Sequence, residues 1–235
     1  MDYDYYHDDQ DALRQLIREN TNLESPRLLP EILLHLAVED LPLWRMGEME
    51  LQEIGLGTPF WAFAWAGGQA LSRHLLDNPS LVAGKRVLDF GSGSGMVAMA
   101  ATMAGAFEVT ATDIDPVAAV AMQMNAEENN CYFDISTEDV VGEHGDWDVI
   151  LVGDVCYDAD IARAVIPWIK ALAQEGREVL IGDPGRFYLP KLGLKKIAKY
   201  ASETTSLMED TDLRNAQVWS IDLDKIGCSS NAEDY

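Results

Sequence analysis

From residue 85 onward, short apolar runs alternate with helical patterns. Arg86-Val87-Leu88-Asp89-Phe90 reads as a strand running straight into Gly91, and the Ala-rich stretch from Met96 to Ala104 reads as a helix. Glu108 to Thr112 is a second strand. Pro116 to Asn125 is a second helix, with Asp115 placed to cap it and Pro116 at its first position. Strands follow over Cys131 to Ile135, Trp147 to Gly153 and Glu178 to Ile181. A helix over Ile161 to Leu172 contains Pro167, which should bend or restart it. Such alternation predicts βαβ units and a mostly parallel sheet covered on both faces. Tyr200 to Met208 and Ala216 to Ile221 read as two more strands without room for a crossover helix, so they should pair as an antiparallel hairpin. The fold class is α/β, doubly wound.

The first 55 residues read instead as helices. Leu13, Leu16 and Ile17 share one helical face. Ser25-Pro26 looks like a cap and first helical position, after which Leu29, Leu33 and Leu36 continue at helical spacing until Asp40-Leu41-Pro42 breaks the run. The expected organisation is an N-terminal helical extension (1–58), a main domain (59–223) and a tail (224–235).

Composition narrows the function. No apolar run among the 235 residues approaches the roughly 18 that a spanning helix needs, so no membrane is expected. Met1 to Gln10 is rich in Asp and Tyr, unlike a secretory signal or an Arg-rich transit peptide. Cys131, Cys156 and Cys228 form no CxxC or CxxH pair, which predicts reduced thiols, a cytoplasmic setting and no metal site. Seventeen basic residues against forty acidic give a net charge of −23. Such a chain repels nucleic acid unless basic residues concentrate somewhere. The one candidate run, Lys191, Lys195, Lys196 and Lys199, reads as a solvated helix face. An acidic surface suits cationic partners such as lysine-bearing protein segments, or serves solubility alone. A monomer is expected.

The chemistry concentrates in Asp89-Phe90-Gly91-Ser92-Gly93-Ser94-Gly95. Glycines permit a tight strand-to-helix turn and close approach of a ligand to backbone N–H groups. A dinucleotide fingerprint needs Gly-x-Gly-x-x-Gly, but residue 96 is Met and the third glycine comes one residue early. No Gly-Lys-Ser/Thr follows, so a P-loop is excluded. Asp89 would face a pyrophosphate badly but suits a cationic amino-acid portion. Asp113 ends the second strand about twenty residues on, where an acid accepts hydrogen bonds from ribose hydroxyls. Together these describe S-adenosylmethionine, held by Asp89, Gly91, Ser92, Gly93, Asp113 and Ile114, with Gly95 serving either contact or helix packing. Asp115 reads as a helix cap. Asp154-Val155-Cys156-Tyr157 follows the fourth strand, in the crevice where open α/β sheets bind ligands.

These motifs resemble a known superfamily. Asp89 to Gly95 with Asp113 is similar to the seven-β-strand methyltransferases, and Asp-x-x-Tyr at 154–157 resembles the motif of their protein-lysine branch. Pro59 to Trp65, Gly67-Gly68-Gln69-Ala70-Leu71, Leu76-Asp77-Asn78-Pro79, Asp113-Ile114-Asp115-Pro116, Gly153-Asp154 and Ile181-Gly182-Asp183-Pro184-Gly185-Arg186 resemble the electron-transfer flavoprotein β-subunit lysine methyltransferase family, bacterial type. The likeness covers residues 59 to about 222 and is less distinctive before them. It implies a Rossmann-like seven-stranded sheet of order 3-2-1-4-5-7-6. Its implied acceptor is a lysine on the electron-transfer flavoprotein β subunit, with a ribosomal stalk protein as a further substrate. It places Trp65, Asp89, Gly91, Gly93 and Asp113 against the cofactor, and Asp154 and Tyr157 at the acceptor. Glu138 or Asp139 would bracket the adenine. Trp65-Ala66 departs from the Trp-Pro of many relatives, which should loosen that turn. Competing readings are methylation of a small molecule or RNA, and a non-catalytic binding module.

Overall fold

A computed structural model describes residues 10–37, 57–203 and 213–226. Its centre is a seven-stranded sheet: β3 (Arg86–Phe90), β4 (Glu108–Thr112), β5 (Asp134–Ser136), β6 (Val149–Gly153), β7 (Glu178–Asp183), β8 (Leu194–Glu203) and β9 (Leu213–Ile221), ordered β5-β4-β3-β6-β7-β9-β8. Counting these seven strands from the first, the order is 3-2-1-4-5-7-6. Strands β3 to β7 run parallel, and β9 pairs antiparallel with both β7 and β8. The order reverses between β3 and β6, so their carboxyl ends open a crevice of the kind in which such sheets bind ligands.

The central strands read as unbroken apolar runs because both faces are covered. Val87, Val149, Leu151 and Leu180 point into one core, shared with α2 (Ala66–Asp77), α3 (Met96–Met103) and α4 (Pro116–Asn129). Leu88, Ile150, Val152, Val179 and Ile181 point into the other, against α5 (Ala159–Gln174). Asp115 caps α4 as its position suggested, accepting from the Val117 N–H at 2.8 Å. Pro167 lies inside α5 without ending it. Its ring faces solvent, while Val165, Ile166, Trp168 and Ile169 around it are buried, so packing holds the helix through the lost hydrogen bond.

The N-terminal region departs from its expected form. Helix α1 (Gln10–Asn20) is present, burying Leu13 and Ile17, but residues 26–36 are not a second helix. They form turns and then β2 (Leu34–Ala37), antiparallel to β1 (Thr21–Glu24). Pro30 is one cause, since an interior proline lacks the donor and its ring clashes with the preceding turn. Helix α4 supplies the other. Asn129 Oδ1 accepts from the Leu33 N–H at 2.8 Å and its Nδ2 donates back to the Leu33 carbonyl at 2.6 Å. Asn125 Oδ1 accepts from the His35 N–H at 2.8 Å. These bonds satisfy an extended backbone from outside. The expected break at Asp40-Leu41-Pro42 lies outside the described residues, as does Cys228.

The lysine run corrects a second expectation. Lys195, Lys196 and Lys199 lie on β8, not on a helix, and β8 begins six residues before the expected Tyr200. As an outer strand carrying several lysines, β8 resists edge-to-edge pairing with another sheet. Residues 204–208 of the expected strand lie outside the described residues.

One approach of α2 to β7 fixes the crevice. A Cβ on Gly182 would stand 2.1 Å from the Gly67 carbonyl oxygen, and one on Gly67 would stand 2.4 Å from the Gly182 carbonyl oxygen. Both obstacles are backbone, which cannot swing away. We expect Gly182→Ala to destabilise the fold by about 3 kcal/mol or more, at the upper end for overpacking. Chemical denaturation gives the value, and a loss under 1 kcal/mol would mean that the two elements can separate freely.

Candidate active site

Two groups of residues meet in the crevice, one beneath β3 and β4 and the other beyond β6 and β7. In the first, the penultimate residue of β3 is Asp89, of which 1% is exposed. Asp89 Oδ2 accepts from Ser92 Oγ and, at 3.0 Å, from the Ala98 N–H in the first turn of α3. Burial outweighs these bonds and pushes its pKa up to about 7, with the Asp113 charge adding slightly. A carboxyl group so poorly supplied with positive charge is matched to an ammonium ligand. The chain leaves Asp89 through Gly91, Gly93 and Gly95, all at positive φ. Gly95, at φ 79°, opens α3, and a Cβ there would press on Met122 and Phe133. Gly95 therefore serves both the turn and helix packing.

Asp113 closes this half. Its Oδ2 accepts from the Gly93 N–H at 2.8 Å and its Oδ1 from the Asp115 N–H at 3.0 Å. Burial raises its pKa above the usual carboxylate range. Each oxygen keeps a lone pair beyond its backbone bond, enough for two vicinal hydroxyls. Ile114 beside it is exposed, and Ser92 is buried with its N–H on the Thr112 carbonyl. Glu138 and Asp139 are exposed beyond β5, and Asp139 Oδ1 accepts from the Val141 N–H at 3.0 Å to form a turn.

The second half is built around Asp154, which follows β6 with φ 59°. A left-handed aspartate costs conformational energy, and such residues gather at functional sites. Its N–H donates to the Gly182 carbonyl at 2.8 Å. Asp154 Oδ2 accepts from the Gly67 N–H at 2.7 Å, near the start of α2, and Oδ1 accepts from Arg186 Nε at 2.6 Å. The Asp154 side chain is 2% exposed. Aromatic rings border it. The Trp65 ring has the Arg186 guanidinium 5.5 Å from its centroid, and Phe60 lies 5.9 Å from Trp65 and 5.3 Å from the ring of Tyr157. Tyr157 is 45% exposed; burial raises its pKa first, then the charges of Asp113, Asp158 and Asp154. Tyr157 thus stands within electrostatic reach of both halves.

Comparison with known proteins identifies the family. The family model "Ribosomal protein L11 methyltransferase (PrmA)" matches residues 70–181. The Xenopus laevis electron transfer flavoprotein beta subunit lysine methyltransferase is 43% identical over 216 residues, covering 89% of this chain and 87% of that protein. This chain belongs to that family. The Homo sapiens member is 38% identical over 219 residues, covering 88% of this chain and 81% of its own. A solved structure from Pyrococcus horikoshii, described as a candidate RNA methyltransferase, matches with a TM-score of 0.51 at 15% identity. It covers 69% of this chain and 89% of that one, and shows the fold alone. As a member of the lysine methyltransferase family, the chain is an enzyme of methyl transfer.

Sequence reasoning singled out Asp154 but not what holds it. Arg186 and Asp183 lie in the Ile181-Gly182-Asp183-Pro184-Gly185-Arg186 motif, which by itself gives them no role. Asp183 is fully buried; its Oδ1 accepts from the Gly185 and Arg186 N–H groups at 2.6 and 2.7 Å, while its Oδ2 has no partner. Burial, then the Asp154 charge, pushes its pKa up to about 6. Asp-x-Gly after a strand is a turn signal, and its place at the carboxyl end of β7 could have drawn attention to Arg186.

Proposed function

We propose that the chain transfers a methyl group from S-adenosylmethionine to a lysine side chain of the electron-transfer flavoprotein β subunit. The carrying observation is the glycine turn between two carboxylates, one buried and short of positive charge, the other offering free lone pairs. Asp89 meets the amino group of the ligand, and Asp113 accepts from its ribose hydroxyls. Gly91, Ser92, Gly93 and Gly95 line the turn, Trp65 and Ile114 flank it, and Glu138 or Asp139 lies towards the adenine. Residues 59–223 form the catalytic unit, between a 1–58 extension and the tail from 224. Buried free thiols at Cys131 and Cys156 suit a reducing cytoplasm. Among the described residues no helix is long and apolar enough to cross a membrane.

When bound, S-adenosylmethionine supplies the electrophilic methyl carbon and a positive sulfonium. The protein's task is to present a neutral amine in line with it. A free lysine, with pKa about 10.4, holds its proton by roughly 4.6 kcal/mol at pH 7. Asp154 positions the amine and the rings of Phe60, Trp65 and Tyr157 form the channel wall, so alignment supplies most of the acceleration. The lysine proton leaves to water before transfer.

The test is methylation of purified flavoprotein β subunit with labelled donor, with mass spectrometry locating the label. Label on lysine supports the reading. Label confined to nuclease-sensitive or small-molecule fractions of a lysate would overturn it. A ribosomal stalk protein belongs in the same assay as a second acceptor, because the matching family model is named for a ribosomal-protein methyltransferase.

Asp89 also sets a pH dependence. Its raised pKa means that the unliganded fold holds more protons than the unfolded chain between roughly pH 4 and 7, so its stability contribution is lost as pH rises through about 7. Meeting an ammonium group requires the ionised form. Affinity for S-adenosylmethionine should therefore level off above about pH 7 and fall by up to about tenfold per unit below it. Calorimetry in buffers of different ionisation enthalpy should record about half a proton released on binding at pH 7, rising towards one at lower pH. Flat affinity with no proton release would remove Asp89 from the amino-group contact.

A further inference from the structure

The carboxylate at the acceptor position raises a difficulty that the fold itself answers. A lone carboxylate beside a lysine favours the ammonium, which cannot attack a methyl carbon. Asp154 does not stand alone in this respect: Asp113 and Asp158 also act on Tyr157, and Asp183 acts together with Asp154 on Cys156. These carboxylates come from the end of β4, the loop before α5, β7 and the end of β6. An incoming lysine would meet a strongly acidic surround.

Arg186 opposes it. The turn after β7 is built to hold this residue, with Gly185 at φ 95° and the Gly185 and Arg186 N–H groups both donating to Asp183 Oδ1. Its Nε donates to Asp154 Oδ1 at 2.6 Å, the two side chains being 18% and 2% exposed. The guanidinium lies 5.5 Å from the centroid of the Trp65 ring, so the cation reaches the channel wall. Arginine stays charged at every working pH, so this opposition does not titrate away.

We propose that Arg186 is a positioning residue for methyl transfer, offsetting the charge of Asp154 so that Asp154 orients an incoming lysine without holding it as the ammonium. The proposal rests on the lysine-methyltransferase reading above and assigns Arg186 its part in it. Chemistry on the lysine is unchanged: the proton goes to water, the nitrogen lone pair forms the N–C bond, and the C–S pair returns to sulfur.

The test is kcat/KM for lysine methylation of the purified flavoprotein β subunit from about pH 6 to 10.5, spanning the ordinary lysine pKa. Wild type is compared with Arg186→Gln, Arg186→Lys, Asp154→Asn and the Asp154→Asn/Arg186→Gln double variant, with cofactor affinity measured by calorimetry. Arg186→Gln should move the rising limb up by about one pH unit or more, a tenfold or greater loss near pH 7.5 that shrinks towards pH 10. Arg186→Lys should keep the wild-type limb, Asp154→Asn should move it to lower pH, and the double variant should return it towards wild type. An Arg186→Gln loss of the same factor at every pH would overturn the proposal, leaving a structural role. So would a double variant that stays shifted upward. If Arg186→Gln does not fold, an unmoved limb in Asp154→Asn overturns the proposal by itself. A wild-type protein that binds the cofactor but methylates no lysine defeats the functional reading instead, and that outcome is visible before any variant is made.

Discussion

Asp113→Ala should lower affinity for S-adenosylmethionine by roughly a hundredfold to a thousandfold. The two oxygens of Asp113 each already accept one backbone N–H, from Gly93 and from Asp115. Two ribose hydroxyls bound there would add two charge-assisted bonds at about 1.5 to 2 kcal/mol each, and every 1.4 kcal/mol is about tenfold. The loss is larger than those bonds alone, because the freed Gly93 N–H no longer has a partner to hold the turn in register. Asp113→Asn keeps one acceptor oxygen and should fall between, about tenfold weaker than wild type. Asp115→Ala is the contrast: it removes the α4 cap and should cost about 1 kcal/mol of stability, read by thermal unfolding. Calorimetric titration gives the affinities, and an Asp113→Ala protein that binds within threefold of wild type would remove Asp113 from the ribose contact.

What could be read from the sequence follows how local the causes are. The strands β3, β6 and β7 announce themselves because both faces are buried and most of their residues are apolar without alternation. The turns after β3 and β4 carry glycine, proline and aspartate, whose effects act within a few residues, so Asp89, Gly93 and Asp113 were legible as a group. The 26–36 segment is not legible in the sequence because its conformation is decided elsewhere. Leucines at helical spacing cannot reveal that Asn125 and Asn129, some ninety residues on, will satisfy an extended backbone. Pro167 does not end its helix, and only packing against β6 and β7 shows that its solvent side can tolerate the lost bond. Asp154 was visible as a position, but its ion pair crosses 32 residues and depends on a left-handed backbone that no motif encodes. Chemistry set by adjacent residues is readable in the chain; chemistry set by a turn on a neighbouring strand is not.

Asn125→Leu should lower stability by about 3 to 5 kcal/mol and weaken cofactor binding with it. This side chain is fully buried and joins two parts that share no other sequence logic. Its Oδ1 accepts from the His35 N–H of β2, and its Nδ2 donates to the Ser94 carbonyl within the glycine turn at 2.9 Å. Leucine fills similar space but strands a buried donor and a buried acceptor, at about 1 to 3 kcal/mol each. For a chain of this size the melting temperature should fall by about 10 °C, at roughly 2 to 4 °C per kcal/mol. Asn125→Asp separates the two contacts. It keeps an acceptor for His35 but removes the donor to Ser94 and sets a negative charge against that carbonyl. The turn should then suffer more than the hairpin, so cofactor affinity drops while hydrogen exchange at His35 stays slow. Equal exchange at His35 in both variants would break the link, and the N-terminal hairpin would then have no hold on the glycine turn.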